Sequence, residues 1–129
     1  MPASHTSSVT DVFQWELVWE GLHATLPSPI PVLLAVFPPP DLAVKLCDIY
    51  FAQINSLWPL LHRPTFDRQF HDELHHRDHW FTCLCLSLFA LASQWSSDLR
   101  VIPEQFRTGE IDWHQAGNQY LEAAIGEHI

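Results

Sequence analysis

Apolar positions recur along this chain at intervals of three and four, without sustained alternation, and that period predicts an all-α protein. Near the start, Val12, Trp15, Trp19 and Leu22 share one helical face behind Asp11, a capping residue. Gly21 and the run Leu26-Pro27-Ser28-Pro29-Ile30-Pro31 close that helix, and residues 32–37, halted by Pro38-Pro39-Pro40, read as an extended connector. Asp41 is then placed as the N-cap of a helix carrying Leu42, Leu46, Ile49, Ile54 and Leu57, which ends at Pro59. His62-Arg63-Pro64-Thr65 reads as a turn, with Thr65 capping a helix on which Phe66, Phe70 and Leu74 lie four apart. Its other face is polar, with Asp67, Gln69, Asp72, Glu73 and His76. Asp78 caps the next helix, where Phe81, Leu84, Leu88, Leu91 and Trp95 follow at helical spacing and the remaining faces are also apolar, as in a central helix. Ser96-Ser97-Asp98 ends it, and a polar loop holds Pro103 and Gly109. Asp112 caps a last helix marked by Trp113, Ala116, Tyr120 and Ala124. Trp58, Phe66, Trp80 and Trp95 are expected to anchor the core, and no internal repeat is visible.

Composition adds a second expectation. Of 129 residues 47% are hydrophobic and only 16% charged, with six tryptophans and eight phenylalanines. A domain this small needs a polar skin, so the chain is expected to pack against more protein. Net charge is −9, from 15 acids and 6 bases, and the bases do not cluster. Such a surface repels phosphate backbones, so direct DNA binding is not expected. Three cysteines and a Ser/Thr-rich start without an apolar signal region fit a reducing compartment. Trp80 to Ser97 lacks any charged residue, but Thr82, Ser87, Ser93, Gln94, Ser96 and Ser97 interrupt it. It reads as a buried helix, since a span needs about 20 predominantly apolar residues.

Candidate chemistry is sparse. Asp67, His71, His75 and His79 are four apart, and His71 with His75 would be the metal ligands of a continuous helix. The plainer reading is a solvated helix face: the Glu of His71-Asp72-Glu73-Leu74-His75 is misplaced for His-Glu-x-x-His, and Asp78 starts a new helix. Cys83 and Cys85 point to nearly opposite sides of a helix and are read as buried structural thiols. No spacing supports a catalytic site, and four glycines make no phosphate loop, so no enzymatic activity is expected. His62 and Arg63 are placed to hydrogen-bond free carbonyls at helix ends. The acidic and aromatic stretch Asp11 to Leu22 suits either a partner's groove or the main body of the protein itself.

Four segments carry a family resemblance. They are Pro38-Pro39-Pro40-Asp41-Leu42-Ala43, then Tyr50-Phe51, then Trp58-Pro59-Leu60-Leu61-His62-Arg63-Pro64-Thr65-Phe66, and finally Leu88-Phe89-Ala90-Leu91-Ala92-Ser93-Gln94-Trp95-Ser96-Ser97-Asp98-Leu99-Arg100-Val101. Their order resembles the start of the fungal-specific transcription factor domain, the middle homology or xylanolytic-activator region of zinc binuclear cluster regulators. The residues matching that pattern are Asp41, Trp58, Pro59, His62, Arg63, Pro64, Phe66, Trp95, Asp98 and Arg100. The resemblance implies a short helical bundle, the first helices of a larger α-helical regulatory domain, and a nuclear role in regulating DNA-templated transcription. Family members join this region to a six-cysteine zinc cluster that reads DNA. No Cys-x2-Cys-x6-Cys run occurs here, so no cofactor is expected in this chain and DNA is reached only indirectly. Residues 1–36 are expected to form a tail, a short amphipathic helix and a Pro-rich connector, and residues 37–129 a partial regulatory domain. The expected partners are the remaining helices of such a domain or other proteins, with no membrane. The alternatives are a small His-rich metal-binding protein or a truncated product without independent activity.

Overall fold

The computed structural model describes residues 28–126, and all of these residues that are regular are helical. The helix expected over 11–22, its Asp11 cap and the tail before it lie outside the described residues. The protein is a short all-α bundle, with no strand among the described residues.

The first element corrects an expectation. The connector expected to be extended over 32–37 begins inside a helix: α1 spans Ile30–Leu34 and buries Leu33. Pro31 sits in the first turn, where a missing N–H costs nothing and the fixed φ already suits a helix. Pro40 opens α2, Pro40–Ile49, by the same logic. The N-cap is therefore Pro39, and Asp41 stands inside the first turn.

Beyond Ile49 the helix widens into a π turn, Tyr50–Ile54, closed by the Asn55 N–H donating to the Tyr50 carbonyl at 3.0 Å. The wide turn shifts the register of everything after it. Leu42, Leu46, Tyr50 and Phe51 are buried, Ile54 is half-buried, and Leu57, expected on the same inner face, is exposed.

α3, Arg63–His71, starts two residues before the expected Thr65 cap, with His62 at the N-cap and Pro64 in the first turn. Thr65 caps no backbone group. Its hydroxyl lies 2.8 Å from His62 Nδ1. The helix stops early because Glu73 takes a left-handed conformation, φ 58°, and a 3₁₀ turn follows at Leu74–His76. Phe66, Phe70 and Leu74 still reach the core.

α4, His79–Ser93, is the axis of the bundle. Asp78 caps it as expected, its Oδ1 accepting from the N–H groups of Trp80 (2.9 Å) and Phe81 (3.3 Å). Such a cap is worth about 1 kcal/mol. The inward face is Thr82, Cys85, Leu86, Phe89, Ala92 and Ser93, all fully buried. Its two hydroxyls donate to carbonyls, Thr82 to His75 at 2.6 Å and Ser93 to Phe89 at 2.6 Å, so neither is left unpaired. Phe89 meets Phe37, Phe70 and Tyr120 edge-on, at 5.3, 6.4 and 5.9 Å between ring centres.

Three 3₁₀ turns follow, Leu99–Val101, Glu104–Phe106 and Trp113–Gln115, and then α5, Asn118–Gly126. Asp112 caps the last of these turns through the His114 N–H (3.0 Å) and not a long helix. The interruption is Gly117, at φ 81°, which lets the chain turn against α4. A Cβ there would lie 2.7 Å from the Ala90 carbonyl oxygen and 2.9 Å from Ser93 Cβ.

Two glycine substitutions separate crowding from backbone strain. Gly109 also has positive φ, 76°, but nothing lies near its missing Cβ. Gly109→Ala should cost about 1 kcal/mol, the left-handed penalty alone. Gly117→Ala should cost roughly 2–4 kcal/mol, because overpacking against α4 adds to it. Urea unfolding of both variants measures the difference.

Candidate interaction site

Two arginines organise the polar side of the molecule. Arg100 places Nε 3.0 Å from Asp98 Oδ1 and Nη2 2.8 Å from Asp98 Oδ2. The same guanidinium reaches Asp41 across the fold, Nη1 to Oδ1 at 3.2 Å and Nη2 to Oδ2 at 2.8 Å. Paired fork contacts of this kind suit the planar guanidinium. The Arg100 carbonyl accepts from Arg107 Nη2 and Gln119 Nε2, both at 3.1 Å, while Arg107 Nε donates to the Ile102 carbonyl at 2.7 Å. One residue thus joins the start of α2, the loop after α4 and α5. Hydrogen bonding to Arg100 holds the Asp98 carboxyl down to about 2 and lowers that of Asp41, while the Asp98 contact raises the arginine.

Arg63 does the same between α2 and α3. It pairs with Asp48 and, through Nε at 3.3 Å, with Asp67, and its guanidinium lies 4.9 Å from the centre of the Phe51 ring. It binds carboxylates and an aromatic face, where helix-end carbonyls were expected.

Of the residues matching the family pattern, Asp41, Asp98 and Arg100 therefore form one cluster, and Arg63 stands in a second beside Phe51 and Phe66, whose rings are 5.5 Å apart. His62 bonds Thr65, and Pro64 lies in the first turn of α3. Trp58, Pro59 and Trp95 join neither cluster. Only Phe66 of the four expected anchors is buried: Trp58 is 67% exposed, Trp80 56% and Trp95 54%.

Two of the outward tryptophans, Trp80 and Trp95, lie on the same helix with other exposed apolar residues. Trp80, Leu84, Leu91 and Trp95 run along one side of α4 and its final turn, all exposed. Leu121 and Ile125 of α5, also exposed, extend this face, and a cleft lined by Leu91 and Leu121 joins the two helices. None of these positions is charged. A second apolar projection is the loop Leu57-Trp58-Pro59-Leu60, held in shape by Asn55, whose side chain both donates to the Leu61 carbonyl and accepts from the Leu61 N–H at 3.0 Å. Asn55, Asp48, Leu121 and Ile125 had no place in the sequence reading. The inward face of α4 did leave a signal, since the small residues Ala90, Ala92 and Ser93 mark the side where neighbours approach.

The histidine pair does not meet. His71 ends α3 and is exposed, whereas His75 lies beyond the Glu73 break, buried and stacked on Phe70 (4.6 Å) and Phe37 (5.3 Å). No cluster of three ligand side chains suited to a metal occurs among the described residues. Cys47, Cys83 and Cys85 are buried thiols outside any disulfide, and burial pushes the Cys47 thiol up to about 12 and raises Cys85 as well. Three buried thiols do not fit a six-cysteine zinc cluster. Among the described residues no helix is long and apolar enough to cross a membrane.

A helical scaffold tied by two arginine clusters, with several large apolar side chains exposed on α4 and α5, defines a packing domain. The particular family follows from comparison: the model of the fungal specific transcription factor domain matches residues 47–123, more than half of the chain, and the chain belongs to that family. The family is a transcription factor domain and not a catalytic one. No curated protein and no solved structure gives a significant match.

Acid stability tests the two buried or paired groups. Burial, and next the neighbouring His76, lower His75 below its usual 6.5. The unfolded chain therefore takes up its proton first, and stability is full above about pH 6.5 and falls below it. Asp98 is lowered from 3.8, so its contribution persists above that value and is lost as pH falls towards about 2. Urea midpoints measured from neutral to acid pH should fall in two stages. His75→Phe should flatten the first, and Asp98→Asn should remove part of the second.

Proposed function

We propose that this chain is a non-catalytic regulatory element of a fungal zinc-cluster-type transcription factor, acting in the nucleus through helix packing against further protein. Membership of the family supports the transcriptional setting. The observation that carries the mode of action is the uncharged, exposed set Leu84, Leu91, Trp95, Leu121 and Ile125. An exposed apolar surface of this continuity marks a protein contact in a chain otherwise rich in acids. Its partner is a further set of helices, from a larger regulatory domain or another protein. DNA is reached through a separate cysteine-cluster domain, whose zinc is not held by this chain. The alternative of a metal site at His71 and His75 has no geometric support, because the helix that would align them is broken at Glu73.

The test is transcriptional. The full chain is tethered to an unrelated DNA-binding domain in a fungal host, upstream of a reporter. Reporter output should shift several-fold from the binding domain alone, and Leu91→Asp/Leu121→Asp should return it to that baseline while helical circular dichroism is retained. Output equal to that of the binding domain alone would refute the proposal.

A further inference from the structure

His75 is the one ionisable ring in the aromatic core. It lies between Phe37, from the turn after α1, and Phe70 of α3, within 7° and 12° of parallel and with ring centres 5.3 and 4.6 Å away. Phe81 of α4 stands tilted beside it at 6.4 Å. The residue is 7% exposed, and its Nδ1 is buried without a hydrogen-bond partner. Its backbone is tied separately, since the Thr82 hydroxyl donates to the His75 carbonyl at 2.6 Å. Among the described residues the titratable groups acting on the ring are His76, with its ring 4.5 Å away, and Glu73, both from the same turn and both exposed. Residues 28–40 carry no ionisable side chain, and α3 and α4 present Phe70 and Phe81. A neutral imidazole packs in this sandwich as an aromatic ring does. An imidazolium there is a charge out of water with an unmet N–H. Phenyl faces attract a cation, but they do not meet an N–H in the plane of the ring.

We propose that His75 is a proton-operated latch: protonation drives its ring out from between Phe37 and Phe70 and parts the Leu74–His76 turn from the end of α1, while α4 and α5 stay packed. The parts that move are the weakly held ones. α1 has five residues, too few for a helix stable by itself, and the turn opens on Glu73 at φ 58°, a left-handed conformation that costs a residue with a side chain. The parts that stay are joined without His75. Gln94 Nε2 of α4 donates to the Ala116 carbonyl at 2.8 Å, and Phe89 meets Tyr120 of α5. Opening uncovers the apolar faces of Phe37 and Phe70, a surface hidden at neutral pH. Burial, and next His76, oppose the charged ring more than Glu73 favours it, so the closed form is full above about pH 6.5 and is lost below it. Each pH unit below 6.5 favours the open form by up to about tenfold. The latch differs from a loss of overall acid stability because it opens locally, and it stands apart from the transcriptional reading, which uses the α4 and α5 face.

Hydrogen exchange of the full chain at pH 7.5 and pH 5.5 tests it, with rates corrected for the intrinsic effect of pH on exchange. In the wild type, protection at residues 33–37 and 74–77 should fall about tenfold at the lower pH, with residues 82–92 unchanged. His75→Phe keeps the aromatic sandwich without the titration and should hold its protection at both pH values, whereas His76→Gln should keep the wild-type response. Unchanged protection at 74–77 in the wild type would overturn the proposal. So would an equal loss at 82–92, which is unfolding of the whole chain, or the same loss in His75→Phe. If His75→Phe does not fold, the ring-proton resonances of His75 in the wild type decide: they should titrate in step with the loss of protection, and a titration that leaves protection intact overturns the latch.

Discussion

The enclosure of α4 is the constraint on which this structure depends. The helix has no charged side chain after His79, and seven of its side chains are fully buried. Water must be excluded from it on several sides at once, yet its neighbours are short. α1, α2 with its π turn, and α5 cover the inward half, and Phe89 is met by rings from α3, α5 and the turn after α1. On the opposite side Leu84, Leu91 and Trp95 are exposed. Apolar burial yields about 25 cal/mol per Å², so an open stripe of tryptophan and leucine is a store of binding free energy for whatever covers it.

Short helices that wrap a central one need ties where their ends meet. The two arginine clusters supply them. Arg63 closes the corner between α2 and α3, and Arg100 gathers the start of α2, the loop after α4 and α5. Both lie partly in solvent, where ion pairs alone contribute little. Their value is geometric: each fork fixes the orientation of two carboxylates and, for Arg100, its carbonyl holds two further side chains. Two separated segments of the family pattern, around Asp41 and around Asp98-Leu99-Arg100, are thus one contact in space.

What was legible in the chain was local. The all-α class, the Asp78 cap and the buried cysteines follow from period, capping chemistry and spacing. The failures have physical causes that act at a distance or through a single residue. Asp41 looks like a cap until Arg100, 59 residues away, claims its carboxylate. The inner face of α2 is lost after Ile49 because a π turn changes the register, and 3.6-residue periodicity does not foresee it. The His71 and His75 alignment fails on one left-handed residue, Glu73. Trp80 and Trp95 are expected inward, but α4 is apolar on every side, so helical spacing does not choose which face looks out and only the small residues Ala90, Ala92 and Ser93 mark it. Thr82 and Ser93, with hydroxyls returned to carbonyls, mark the true interior.

The face left open by this arrangement is the link between fold and function. The chain belongs to a transcription factor domain family, and the contact proposed for it is the exposed set Leu84, Leu91, Trp95, Leu121 and Ile125. The central claim is that this face is solvent-exposed in the folded chain. Its most direct measurement is binding of an environment-sensitive apolar dye to the native protein. The account predicts saturable binding at neutral pH that Leu84→Asp/Leu91→Asp abolishes while cooperative unfolding persists; a native chain that binds no dye would contradict it.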